Sequence, residues 1–267
     1  MHLVRFRCGK DVCHGIAQDT QLTAARVIVG DLFGDYSITD DVLPVEQLLA
    51  PIVPTDILCI GLNYRAHAEE TGSAVPENPM LFIKASNALN DPGAVIPMPT
   101  RTRTHMVDYE AELAVVIGKD CKDVSAADAL DYVFGYTAAN DVSARDWQKD
   151  KKLGGGQFAR GKSFDGFCPL GPCIATRDEI ADPNDLAIRC TLNGAVMQES
   201  NTSDMIFDVR TLIESLSSTM TLRQGSVLLT GTPPGVGMAR EPQVWLKAGD
   251  EVVVEVEGVG KLVNSVG

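Results

Sequence analysis

The stretch 107–118, VDYEAELAVVIG, sets two conditions that few folds meet at once. Asp108, Glu110 and Glu112 occupy every second position. In a strand, side chains at i, i+2 and i+4 point to one face, so the spacing predicts a row of carboxylates. The same stretch then continues as LAVVIG, the apolar texture of a buried strand. Two carboxylates about 4 Å apart repel by roughly 4 kcal/mol at an effective dielectric of about 20. Either the row faces water, or a cation neutralises it. Hard oxygen donors with no His or Cys among them suit Mg²⁺, Mn²⁺ or Ca²⁺ rather than zinc. Spacing alone favours water, because alternating acidic strands are common and metal motifs are sparse.

The remaining texture is strand-rich. ILCIGLNY (57–64) and PMLFIKAS (79–86) read as buried strands, and GDEVVVEVEGVGKLVN (249–264) alternates strictly. LAIRCTLNGAVMQES (186–200) is a hairpin candidate around Asn193-Gly194, the preferred type I′ pair. GSVLLTGTPPGVG (225–237) is a strand entering a Gly/Pro-rich loop. Helix is predicted in three places: YRAHAEETG, stopping at Gly72; VSAADALDYVFGY, with Ser125 as N-cap; and a run with apolar positions at Ile206, Val209, Ile213 and Leu216. Many short strands, few helices and no regular βαβ alternation predict a mainly β fold. Residues 1–55 read as a small N-terminal domain, because Pro51 and Pro54 suit a connector; residues 56–267 read as the larger domain.

Several function classes fall away. A net charge of −13 repels phosphate backbones, so nucleic acid is not an expected partner. A local cation can still reverse the field for an anionic substrate. No apolar run reaches 18 residues, which predicts no membrane span, and the N-terminal sequence lacks the marks of a signal or transit peptide. The expected setting is cytoplasmic, or mitochondrial had a leader been removed. Seven cysteines without a CxxC pair predict reduced, mostly buried thiols. GQFARGKS (156–163) matches the Walker A spacing literally. It follows no strand candidate, and Pro169 and Pro172 forbid a long helix after it, so it reads as a chance match.

Later segments add polar groups: NDVSARDWQ (140–148), GKSFDGFCPLGP (161–172) and LLTGTPPGVG (228–237). Together with GLNYRAHAEE, PMLFIKAS, VDYEAELAVVIG and LNGAVMQESNTSDMIF, taken in order, the chain resembles the fumarylacetoacetate hydrolase family over roughly residues 56–267. It looks closest to the domain-containing branch, which includes acylpyruvate hydrolases and oxaloacetate decarboxylases or tautomerases. The resemblance implies a mixed β-sandwich roll, a homodimer and a small anionic 2-oxo acid as substrate. It also implies that Glu110, Glu112 and Asp141 bind Mg²⁺ or Mn²⁺, with Ca²⁺ as a further option. His67 and Glu70 match a His–Glu pair on a lid segment, and at i, i+3 on a helical turn they can touch. Lys162 matches an active-site lysine, while Arg145, Gln148, Thr232 and Lys84 match substrate-facing positions. Asp108 falls outside the implied ligand set and stays a solvated or supporting carboxylate. Without the resemblance, His67 is a helix-surface residue, Lys162 a loop lysine, and Arg145 the partner of a nearby acid.

A 2-oxo acid can chelate one cation through its carboxylate and neighbouring carbonyl, and the cation then stabilises an enolate. Three reactions share that need. The first expectation is hydrolysis of a C–C bond in an acylpyruvate-type substrate, with His67 and Glu70 deprotonating water. The alternative is keto–enol tautomerisation, or decarboxylation, of oxaloacetate at the same site.

Overall fold

The computed structural model describes residues 1–102, 104–154 and 156–267. All seven residues of the strand Ala111–Ile117 are buried, as its continuous apolar texture requires. It lies inside a 12-stranded sheet, antiparallel to Val133–Asn140 on one side and to Val227–Leu229 on the other. From Val133–Asn140 the sheet continues through Cys168–Thr176, His2–Cys8, Asp11–Ala17 and Ala24–Gly30 to Tyr36–Pro44. From Val227–Leu229 it continues through Ile57–Gly61, joined in parallel, to the edge strand Met80–Lys84.

Alternation along Ala111–Ile117 divides the core. Leu113, Val115 and Ile117 pack with Ile188, Cys190, Val252 and Val254 of a five-stranded sheet, forming a two-layer sandwich. Ala114 and Val116 pack on the opposite side with Ile57, Cys59, Ile174 and Leu229. Each fully buried aliphatic side chain of the strand contributes about 1.5–3 kcal/mol relative to exposure. The N-terminal strands are continuous with this body, since His2 and Leu3 pair with Ala175 and Ile174 in the same sheet. Pro51 lies between them and the Ile57–Gly61 strand, and Ala50 donates its N–H to Asp91 at 2.7 Å.

The hairpin Ala187–Leu192/Ala195–Asn201 turns at Asn193 (φ 51°) and Gly194 (φ 80°), the left-handed pair that its sequence predicts. Helix Val209–Thr219 begins later than the periodicity suggested, because Asp208 caps it through Thr211 N at 2.7 Å. The helix expected after Ser125 is only a 3₁₀ turn, Ala129–Tyr132. Its apolar continuation is taken by the strand Val133–Asn140, which leaves too few residues for a helix.

The carboxylate row is not one strand. Val107–Asp108 pairs with Ser143–Ala144, and the chain breaks before resuming at Ala111. Glu110 sits in the break. Its N–H goes to Asn140 Oδ1 (3.0 Å) and its carbonyl accepts from Asp141 N (2.9 Å). GQFARGKS has neither the strand nor the long helix of a phosphate loop: Phe158–Lys162 is a single short helix preceded by turns. Five of the seven free cysteines are buried, and burial pushes the Cys168 and Cys173 thiols up to about 12, which keeps them unreactive.

Candidate active site

The break at Glu110 brings three carboxylates together. One ligand oxygen each from Glu110, Glu112 and Asp141 lie within 4.8 Å of one another, all buried. Asp141 follows the strand Val133–Asn140, which runs beside Ala111–Ile117, so adjacent strands of the central sheet supply the triad. Lys162 donates to Glu110 Oε2 and Asp141 Oδ2, both at 2.5 Å. Lys84 donates to Asp141 Oδ1 (2.5 Å) and to the Val142 carbonyl (3.1 Å). Arg145 donates from Nη2 to Glu110 Oε1 at 2.6 Å.

Asp108 is not solvated. It is fully buried and accepts from Arg145 Nε (2.9 Å), Gly237 N (2.7 Å), Met238 N (3.1 Å) and Tyr109 N (2.9 Å). Of the two expectations for Asp108 the supporting carboxylate agrees with this arrangement and the solvated one does not, because Asp108 lies on a separate short strand and turns toward the 3₁₀ turn Gly237–Ala239. Arg145 therefore spans Asp108 and Glu110, while its Nη1 donates to Gln148 Oε1 at 3.1 Å. Its guanidinium is committed to nearby acids, as the residue read by itself suggested. Asp108→Asn is expected to destabilise the protein by about 3 kcal/mol, since it leaves a buried guanidinium short of charge. Chemical denaturation would measure this; a change below about 0.5 kcal/mol would contradict it.

Four buried carboxylates, Asp108, Glu110, Glu112 and Asp141, face three buried cationic side chains, Lys84, Arg145 and Lys162. Among the described residues Glu112 is the one of the four with no cationic side chain hydrogen-bonded to it. Burial would raise Glu110, but Arg145 and Lys162 hold its carboxyl well below the usual range. Glu112 is pushed well above that range by burial and then by repulsion from Asp141 and Glu110. Its hydrogen bond comes from Gly231 N at 2.6 Å. Gly231 has φ +100°, and a Cβ there would lie 2.7 Å from the Asn63 Cβ, so only glycine lets the backbone come this close. Against its own burial, Lys162 is raised by Asp141 and Glu110, which keeps it an ammonium.

The donor set fits a hard divalent cation: three oxygen ligands, no sulfur or imidazole among them, and one carboxylate short of a counter-charge. With Glu112 raised, the unfolded chain ionises first as pH climbs above the ordinary carboxylate range. The cation-free fold then loses stability until pH passes the folded value. Over that window Mg²⁺ binding must displace a proton, so its affinity is expected to rise with pH. Calorimetry in buffers of different ionisation enthalpy tests this, and binding without proton release would contradict it.

His67 and Glu70 lie on the six-residue helix Arg65–Glu70, too short to hold itself. Asp204 accepts from Ala66 N (3.0 Å), and Arg65 donates to the Met205 carbonyl (2.6 Å). His67 Nδ1 faces Glu70 Oε1 at 2.7 Å, and Gly235 N donates to both Glu70 oxygens at 3.0 and 2.9 Å. The loop 231–235 thus contacts Glu112 at one end and Glu70 at the other, with Thr232 between them. Sequence reading missed Gln198, which accepts from Ala111 N (3.0 Å) and donates to Thr232 Oγ1 and the Pro233 carbonyl (both 2.8 Å). It also missed Asn140, whose side chain holds Glu110 N. A polar residue inside the alternating run AVMQESN was the signal for Gln198.

A β-sandwich with buried acids and lysines at a strand break, beside a short His–Glu helix, points to an enzyme of the family that the motifs resemble. Residues 56–267 match the fumarylacetoacetate (FAA) hydrolase C-terminal family, and residues 1–51 match the Rv2993c-like N-terminal family. The chain belongs to the fumarylacetoacetate hydrolase family. It is 49% identical over 227 residues to the mitochondrial oxaloacetate tautomerase Fahd2a of Rattus norvegicus, covering 84% of this chain and 71% of that one. Among solved structures it is similar to a 5-carboxymethyl-2-hydroxymuconate delta-isomerase from Mycobacterium smegmatis, with TM-score 0.87, 39% identity and coverage of 100% and 99%. It is also similar to a fumarylacetoacetate hydrolase from psychrophilic Exiguobacterium antarcticum, with TM-score 0.86, 35% identity and coverage of 100% and 99%.

Proposed function

We propose that this chain is an oxaloacetate keto–enol tautomerase that works with Mg²⁺ or Mn²⁺ held by Glu110, Glu112 and Asp141. The observation that carries the reading is the uncompensated buried Glu112 beside a His–Glu pair, in a chain 49% identical to a named oxaloacetate tautomerase. The cation would supply Lewis-acid stabilisation of the charge that develops on the 2-oxo oxygen. Because Glu70 is an acceptor, the His67 proton sits on Nδ1, which leaves Nε2 to take a proton from the carbon next to the carbonyl. Glu70, fixed by Gly235 N, then offsets the imidazolium charge. Lys162, kept protonated by Glu110 and Asp141, returns a proton or holds the substrate's charge. Arg145 and Lys84, engaged with carboxylates, set the triad in place. We also propose a homodimer.

C–C hydrolysis, the first expectation from sequence, stands second. The named hydrolase relative supports it, at lower identity than the tautomerase. Among the described residues no helix is long and apolar enough to cross a membrane. The rat relative's name places that protein in mitochondria, which supports the mitochondrial alternative for this one. An NMR time course with Mg²⁺ and oxaloacetate, acetylpyruvate or fumarylpyruvate tests the function. Accelerated keto–enol exchange of oxaloacetate with its carbon skeleton intact is expected. Cleavage of an acylpyruvate without such exchange would transfer the assignment to hydrolysis, and inertness toward all three would refute both.

A further inference from the structure

Gln198 is buried, on the strand Ala195–Asn201 of the smaller sheet, and its amide orientation is forced. Ala111 N can only donate and the Pro233 carbonyl can only accept, so Oε1 must face Ala111 and the NH₂ must face the 232–233 loop. The same NH₂ therefore donates to Thr232 Oγ1 at 2.8 Å. A hydroxyl that accepts in this way has one proton left to give. Thr232 is 4% exposed, and among the described residues no carbonyl or carboxylate receives that proton. Its neighbours in the loop fix where it stands, with Gly231 N on Glu112 and Gly235 N on Glu70.

We propose that Gln198 is a positioning residue: by donating to Thr232 it commits the Thr232 hydroxyl to donate toward an anionic oxygen of the substrate. This deepens the proposed function and rests on its reading of the site as one for 2-oxo acids. Ala111 lies between Glu110 and Glu112, so the same glutamine joins the metal-ligand candidates to the substrate loop. A hydrogen bond to a charged group is worth enough to change affinity about tenfold.

The test is a double-mutant cycle read by oxalate binding in saturating Mg²⁺, with Mg²⁺ affinity measured separately. Thr232→Val should weaken oxalate about tenfold, and Thr232→Ser, which keeps the hydroxyl, should stay within about twofold of wild type. Gln198→Met should weaken oxalate about three- to tenfold at saturating Mg²⁺ and raise KM for oxaloacetate more than it lowers kcat, whatever the loss of its bond to Ala111 N does to Mg²⁺ affinity. The double variant should bind no more weakly than Thr232→Val alone. Additive losses would overturn the proposal, because they would make Gln198 a support for the acidic strand that acts independently of Thr232. Should Gln198→Met fail to fold, Gln198→Asn keeps an amide but is one methylene too short, and it carries the same cycle. Failure of wild-type protein to bind oxalate would refute the 2-oxo acid reading and this inference with it. Wild-type binding with an additive cycle refutes the inference alone.

Discussion

Asp141→Asn is expected to weaken divalent-cation binding by about a hundredfold or more and to remove most turnover. Asp141 stands where the charges of the site converge. Its two oxygens receive Lys84 and Lys162 at 2.5 Å each, and it joins Glu110 and Glu112 in the triad. Asparagine preserves shape and one acceptor oxygen, but it removes the charge that holds two buried ammonium groups. The variant should therefore also lose stability, by about 3–5 kcal/mol. These two losses separate by measurement. Calorimetric titration with Mg²⁺ below the melting transition reads the cation site, and thermal unfolding without Mg²⁺ reads the fold. An Asp141→Asn protein that is destabilised yet binds Mg²⁺ as tightly as wild type would remove Asp141 from the ligand set.

The acidic row shows how far sequence reading reaches. Alternation placed Asp108, Glu110 and Glu112 on one face, and the apolar continuation marked a buried strand. Both readings hold for Glu112 through Ile117. The break before Ala111 was not legible, because what separates the row is the hydrogen bonding of Glu110 to residues 140 and 141, contacts distant in sequence. That break makes Asp108 the buried partner of Arg145 rather than a solvated carboxylate. The helix 209–219 was legible from its period, whereas the Ser125 turn was not, since the strand pairing of residues 133–140 overrides local helix preference. Gln198 shows the limit most clearly. Nothing in its neighbourhood names Ala111 or Thr232 as partners, and only the packing of the two sheets brings them together.

His67→Ala is expected to lower turnover by about 10²- to 10⁴-fold, the range for loss of a general base, while Mg²⁺ affinity stays within about threefold. The separation follows from the geometry. His67 hydrogen-bonds to Glu70, which is anchored by Gly235 N, and no hydrogen bond links His67 to Glu110, Glu112 or Asp141 among the described residues. Glu70→Gln should fall between wild type and His67→Ala. The amide oxygen can still accept from Gly235 N, but it cannot offset an imidazolium charge. Turnover measured beside calorimetric Mg²⁺ titration for both variants decides the matter. If Mg²⁺ affinity fell in step with turnover, His67 would be holding the acidic cluster together rather than moving a proton above it.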